Sequence, residues 1–457
     1  MSRLNGLSRR HFLASSAALA AFSIPASRVF GQAVTAPAGG QFRFAQIGCG
    51  GKGDSDLNNT VGSGGTLVGM CDVDPKKAAK NFQKYAGVPT FTDYRKMLDK
   101  LEKEIDGVVI STPDHTHAAA ALDAMRRGKH VYVQKPLART FEECQLMLEA
   151  ARKHKVVTQM GNQGHAGAGL IVWKKMMDAS AFGDIQEVHT WSNRPIWPQG
   201  MTQLPPEEPV PEGFDWDAWL GPAQKRPFSS AYAPFKWRGW WDFGCGALGD
   251  MACHNMDPAF WVLKLGLPTS IRCEASAPAG IAYPAWSVIE YTFPATPACP
   301  KGVKLTWHDG KKLPAKPANS HPEYKLGDNG CMIVGSKMTV VGGSHAAPPL
   351  PVALGKDPYG PAVKDAERQW REVLKQTKGC DHHRQWVEAC KEHDAKKPGS
   401  NFEYAVPMTQ AILLGCVALR FPGAELKWDS QKRQFSNHAE ANQWLASKPR
   451  AGYLLSV

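Results

Sequence analysis

The chain has 457 residues, of which 43% are hydrophobic and 21% charged, with a net charge of +12. That length accommodates two or three domains, and the composition excludes a disordered or collagen-like chain. The basic excess is spread over small clusters such as Lys76-Lys77 and Lys396-Lys397. No basic run is interleaved with aromatics, so no nucleic-acid partner is expected. Eleven cysteines occur without a CxxC, which argues against a zinc cage or a redox pair; no metal site is expected. A disulfide framework is not indicated, although an oxidising compartment leaves room for one or two bridges.

Residues 1–33 read as an export segment. Arg3, Arg9 and Arg10 precede an apolar run, Phe12 to Ile24, too short to span a bilayer comfortably. Ser8-Arg9-Arg10-His11-Phe12-Leu13 has the form of a twin-arginine signal, and Gly31-Gln32-Ala33 offers small residues for cleavage. A disordered basic N-terminus is the plainer alternative. Export would leave a charge near +8 on the mature chain and place it in the periplasm. No later stretch is apolar enough for a membrane span.

Phe42 to Ile47 is a short apolar run that reads as a strand. It leads into Gly48-x-Gly50-x-x-Gly53, and polar residues from Asp54 to Asp56 open a helix. Glycines at this spacing allow a tight turn and close approach of backbone to a pyrophosphate at a helix N-terminus. A second strand, Thr66 to Cys71, ends at Asp72, 24 residues after Gly48, where a carboxylate would meet the adenosine ribose. Helices follow at about 75–85 and 94–103. Strands at 106–111, 130–133 and 156–159 alternate with an Ala-rich helix to Arg127 and a helix at 141–154. This order predicts an α/β doubly wound parallel sheet over residues 42–160, with its ligand at the carboxyl ends of the strands. The cofactor expected there is a nicotinamide dinucleotide. Asp72 favours NAD, because a 2′-phosphate would meet a like charge; Lys76 and Lys77 leave room for NADP.

All fifteen tryptophans lie at or beyond Trp173, and prolines cluster between 195 and 234, so a second domain is expected over 161–457. Its strands (185–191, 271–275, 288–293, 303–307, 331–334, 338–341) and helices (168–178, 247–265, 382–393, 405–419) predict an α+β domain with an open antiparallel or mixed sheet. Residues 343–380, rich in Pro and Gly, read as a long surface loop.

Four stretches together resemble the Gfo/Idh/MocA family of sugar and polyol oxidoreductases. They are the glycine motif at 48–53, Ser111-Thr112-Pro113-Asp114-His115-Thr116-His117, Val133-Gln134-Lys135-Pro136-Leu137, and Gly244 to His254. The resemblance covers about 42–265. It implies a Rossmann domain followed by an α/β domain whose sheet supports the substrate site and a homo-oligomer, dimer or tetramer. It also implies that Gly48, Gly50, Gly53, Asp72, Thr112, Pro113 and His117 surround the cofactor, with His115 a close competitor of His117. Lys135 is then a cofactor and catalytic residue, and Asp250 and His254 complete the catalytic set. The family's usual Glu-Lys-Pro is Gln134-Lys135-Pro136 here, which removes an anionic neighbour of the lysine.

The residues support these roles independently. An ammonium beside a carbinol lowers the cost of alkoxide character. Asp250 and His254, four apart, share one helix face, where the histidine could take a hydroxyl proton. A structural Asp–His pair or a turn lysine are the plainer readings. His165, Arg238 and Trp241 are candidate substrate contacts; a backbone-bonded loop histidine, a surface ion pair and a core tryptophan are the alternatives. The substrate expected is a small carbohydrate. An exported chain has no free nicotinamide pool, so the cofactor is expected to be tightly held and restored within each cycle. Oxidoreduction of sugars does this, and so does glycoside cleavage by transient oxidation and elimination. A non-enzymatic carbohydrate-binding protein is the third reading.

Overall fold

A computed structural model describes residues 40–277, 280–318, 320–352, 357 and 360–457. The export segment expected at 1–33 lies outside the described residues.

The N-terminal sheet has six parallel strands. They are β1 (Phe42–Ile47), β2 (Gly65–Cys71), β3 (Thr90–Phe91), β4 (Gly107–Ile110), β5 (His130–Val133) and β6 (Thr158–Met160). Their spatial order is β3-β2-β1-β4-β5-β6. The chain order reverses between β1 and β4, and the crevice at the carboxyl ends of these two strands is where such sheets bind ligands. β4 and β5 are buried along their whole length, as parallel strands covered on both faces must be. The crossovers are α1 (Lys52–Gly62), α2 (Pro75–Lys84), α3 (Tyr94–Leu101), α4 (Asp114–Arg126) and α5 (Phe141–His154). Their starts carry the expected signals. Asp74 caps α2 by accepting from the Lys77 N–H ahead of Pro75, and Thr140 and Glu143 form a capping box on α5.

The second sheet has nine strands: β7 (Ile185–Trp191), β8 (Ser270–Ala275), β9 (Ser287–Phe293), β10 (Val303–Asp309), β11 (Gly330–Gly335), β12 (Thr339–Gly342), β13 (Leu350–Pro351), β14 (Glu425–Asp429) and β15 (Gln434–Phe435). The order is β13-β12-β11-β7-β10-β9-β8-β14-β15. Only β7 and β10 pair in parallel; every other pair is antiparallel, so the sheet is mixed. Along β9 residues alternate between buried and partly exposed, which gives the sheet one covered face. The helices of this half are α6 (Ala168–Asp178), α7 (Trp216–Leu220), α8 (Gly246–Asn255), α9 (Asp257–Leu263), α10 (Pro361–Lys375), α11 (His382–Glu392) and α12 (Phe402–Ala418).

Three details differ from expectation. The single helix expected at 247–265 is two, parted at Met256, because Pro258 lacks the N–H that would continue the ladder. The stretch 343–380 contains β13 and α10 besides loop. Finally, α11 returns to the N-terminal sheet: the Trp386 ring meets Phe42 edge-on at 5.1 Å and packs with Phe44, Val109 and Tyr132. The boundary near 160 therefore separates the strands of the two sheets but not their packing.

The tryptophan-rich segment forms its own aromatic cluster, built on Trp219, Phe228, Tyr232, Trp237, Trp240 and Phe243. It leans on the turn after β2. Val73 packs into the cluster, the Asp215 N–H donates to the Val73 carbonyl at 2.9 Å, and Lys77 Nζ donates to the Pro234 carbonyl at 3.3 Å.

Candidate active site

The glycine turn follows β1 directly. Gly48 has φ +81°, and a Cβ on Gly53 would stand 2.0 Å from the Gly48 carbonyl oxygen, so α1 approaches the turn as closely as only glycine permits. No side chain caps α1. The N–H groups of Gly53 and Asp54 turn back to the Gly50 and Gly51 carbonyls, which leaves that of Lys52 at the helix start to meet a diphosphate. Asp72 ends β2; its Oδ2 accepts from the N–H groups of Cys49 (2.7 Å) and Gly50 (3.2 Å), and its Oδ1 from that of Asp74 (2.9 Å). Oδ1 keeps a lone pair for a ribose hydroxyl. Burial pushes this carboxyl above its ordinary value, and the N–H groups pull it back. Thr112 and Pro113 follow β4 on the other wall, where Ser111 O would stand 2.5 Å from a Cβ on Gly48. An uncapped helix behind a glycine turn, faced by a carboxylate at the end of β2, fits an NAD dinucleotide.

Lys135 follows β5, and its Nζ reaches the second domain. It donates to Asp250 Oδ1 at 2.7 Å and to the Asp250 carbonyl at 3.1 Å. Asp250 stands in the first half of α8, brought close by a glycine-rich entry: Gly246 has φ +62° and a Cβ there would meet the Tyr283 ring at 2.7 Å. Arg238 Nε lies 3.2 Å from Asp250 Oδ1, and Arg194 Nε lies 3.6 Å from Oδ2. Burial disfavours the carboxylate, but Lys135 and Arg238 overcome this and hold it well below the usual range. The anionic partner that Gln134 does not supply to Lys135 thus comes from α8.

His254, one turn on from Asp250, is buried, and its Nδ1 has no hydrogen-bond partner. Burial, and then the field of Lys135, push it well below the ordinary histidine value, so the ring is neutral at neutral pH. The ring of His345 lies against it, with centroids 4.0 Å apart. His345 sits in the left-handed region (φ +58°), and its carbonyl presses on Gly164.

The other sequence candidates stand as follows. Arg238 is in the cluster. His117 is fully buried, and its two ring nitrogens lie 2.8 Å from the carbonyls of Pro136 and Thr112. It ties the loop after β4 to the loop after β5 instead of facing the crevice. Burial pushes it down to about 4. His115 is held likewise by the carbonyls of Trp219 and Phe243. His165 is buried with Nδ1 2.9 Å from Asp257 Oδ1, and Asp257 also accepts from Asn162 (3.2 Å) and Tyr404. The Trp241 ring packs on Tyr283 at 3.6 Å and on the Arg420 guanidinium at 3.9 Å.

Sequence reasoning missed Arg194, His345, Asp114 and Asp56. Asp114 is buried, its Oδ2 accepting from the Cys245 N–H at 3.0 Å while Oδ1 has no partner; burial raises its pKa to about 6. Asp56, fully buried in the first turns of α1, accepts from Ser111 Oγ and Gln134 Nε2, both at 2.8 Å. Lys52 Nζ lies 2.9 Å and His383 Nε2 3.2 Å from its Oδ1. A carboxylate three residues past the glycine motif was the available signal for Asp56. All eleven cysteines are free thiols, ten of them buried. No cluster of metal-ligating residues occurs among the described residues.

Comparison with known proteins identifies the family of both halves of the chain. Residues 42–162 match the family model described as an oxidoreductase family with an NAD-binding Rossmann fold. Residues 169–299 match the C-terminal alpha/beta domain of that oxidoreductase family. The inositol 2-dehydrogenase of Salmonella typhimurium is 32% identical over 135 residues, 29% of this chain and 39% of that protein. Glycosyl hydrolase family 109 protein 2 of Akkermansia muciniphila is 32% identical over 165 residues, 33% of each chain. The matched segments thus span well under half of these relatives. The solved WlbA dehydrogenase of Chromobacterium violaceum, a complex with NADH and UDP-GlcNAcA, shares the fold with a TM-score of 0.60 at 19% identity, over 87% of this chain and 99% of that one. With both of its domain models matched over more than half of the sequence, the chain belongs to the Gfo/Idh/MocA oxidoreductase family.

Proposed function

We propose that this chain is an NAD-dependent oxidoreductase that takes hydride from a secondary alcohol of a sugar or polyol. One observation carries the reading: Lys135, from the end of the dinucleotide-binding sheet, meets Asp250 of the second domain beside a buried imidazole, His254, with an unpartnered nitrogen. The nicotinamide supplies the hydride acceptor. The Lys135 ammonium offsets negative charge growing on the hydroxyl oxygen. Asp250, held by Arg238 and Arg194, fixes the lysine in place. His254, neutral at working pH, takes the hydroxyl proton. The inositol 2-dehydrogenase relative supports a polyol substrate.

The twin-arginine pattern supports export to the periplasm, where the cofactor stays bound through the cycle. The packing of the aromatic segment against Val73 and Lys77, next to Asp72, supports retention. We also propose assembly into a dimer or tetramer through the second sheet. Among the described residues no helix is long and apolar enough to cross a membrane.

The family 109 relative supports a second reading, in which transient oxidation allows elimination of a glycoside and the cofactor is restored. Product analysis separates the two. The full chain is incubated with sugars, polyols and glycosides without added cofactor, and the products are identified by mass. A ketone, or an alcohol formed together with one, is expected. A released aglycone with unchanged cofactor would establish the second reading, and no product from any class would leave a binding protein.

A further inference from the structure

A cavity of about 390 Å³ is lined by residues from both halves of the chain. None of Lys135, Asp250, His254 or the glycine turn lines it; Arg139, Trp241, Tyr283, Arg420 and Trp444 do. The Arg420 guanidinium is stacked between two indoles, 3.9 Å from the Trp241 ring and 3.6 Å from that of Trp444. Stacking on two rings stabilises the cation and uses both of its faces. It leaves the edge donors of the guanidinium unanswered, for the Arg420 side chain has no hydrogen bond or ion pair among the described residues. Arg139 stands in the same cavity. Its Nη1 donates to the Trp241 carbonyl at 3.0 Å, and its buried Nε has no partner.

The carboxylates of the lining are already engaged. Glu143 accepts from the N–H groups of Arg139 (2.9 Å) and Thr140 (3.2 Å) and from the Ser447 hydroxyl. Asp242 pairs with Arg226. Neither guanidinium forms an ion pair among the described residues, and the buried Nε of Arg139 is left without a partner. Burial lowers Arg420 only to about 10, so it stays a cation at neutral pH.

We infer that this cavity is a second binding site, for an oxyanion: a carboxylate or phosphate on a molecule no larger than about a monosaccharide, held by the edges of Arg139 and Arg420 between the indole walls. The forked donors of arginine match the planar or tetrahedral oxygens of such groups. The volume falls within the ~300–1,000 Å³ range of small-molecule pockets. The site touches both catalytic elements, since Arg139 lies four residues past Lys135 and Trp241 leads into the entry of α8.

The test is calorimetric titration of the full chain, with cofactor bound and at constant ionic strength, using inorganic phosphate, glucuronate and glucose. Saturable binding of an oxyanion is expected, and none of glucose at this site. Arg420→Gln and Arg139→Gln should each weaken it by about tenfold, the usual loss for one charge-assisted hydrogen bond. Arg238→Gln, which alters the catalytic cluster, should leave it unchanged. Either arginine variant suffices if the other fails to fold. The proposal is overturned if wild type binds neither oxyanion, if binding survives both arginine substitutions, or if it is lost only in Arg238→Gln. None of these results depends on turnover, so failure here is distinct from failure of the proposed function.

Discussion

Asp250 carries the heaviest electrostatic load of any residue in the site, with three cations converging on one buried carboxylate. Removing its charge leaves Lys135, Arg194 and Arg238 to repel one another. Asp250→Asn is expected to lower kcat by about a hundredfold or more, and Lys135→Ala by a similar factor, while bound cofactor is retained. Steady-state kinetics alongside cofactor content checks both; loss of cofactor in step with activity would place these residues in binding instead. The pH profile follows from His254. Its pKa in the folded protein is depressed below the ordinary 6.5, so the ring is neutral, and able to accept a proton, above that lowered value. The acid limb of kcat/KM is therefore expected below pH 6.5, and a limb centred above it would contradict the role. Lys135, Asp250 and His254 were legible because each lies in a short motif of fixed spacing. Arg194 and His345 were not, since each comes from an irregular loop and only the fold brings them to the cluster.

At the scale of elements, strand, glycine turn and helix were readable as one unit because each step has its own physical requirement. The second sheet was readable as open and mixed but not in its order, which depends on long-range pairings such as β7 with β10 that no local pattern encodes. The aromatic segment read as a composition shift with a candidate substrate contact at Trp241. In the structure it covers the turn beside Asp72, with Val73 as its point of contact. Val73→Ser removes apolar contact worth roughly 1 kcal/mol. Faster escape of the cofactor, by about fivefold, is expected on dilution. An unchanged rate, followed by cofactor fluorescence, would show that the segment does not retain it.

Across the whole molecule, the two halves of the chain are joined at Asp56. Its carboxylate gathers Lys52 beside the glycine turn, Ser111 after β4, Gln134 before Lys135 and His383 from α11. Residues over 300 positions apart in sequence thus share one buried charge. The burial of this carboxyl opposes its ionisation, but His383 and Lys52 outweigh that and lower its pKa. Asp56→Ala is expected to destabilise the protein by about 3 kcal/mol, as breaking a buried charged pair does, and Asp56→Asn by less, because it keeps an acceptor. Denaturant unfolding measures both.

The central claim is that this crevice carries hydride transfer on a bound nicotinamide, with Lys135 assisting. It is tested most directly by following the absorbance of the cofactor that purifies with the full chain while polyols and sugars are added. The account expects reduced nicotinamide to form in wild type with at least one polyol or sugar, and about a hundredfold more slowly in Lys135→Ala. No reduction with any of them, or reduction in Lys135→Ala as fast as in wild type, would contradict it.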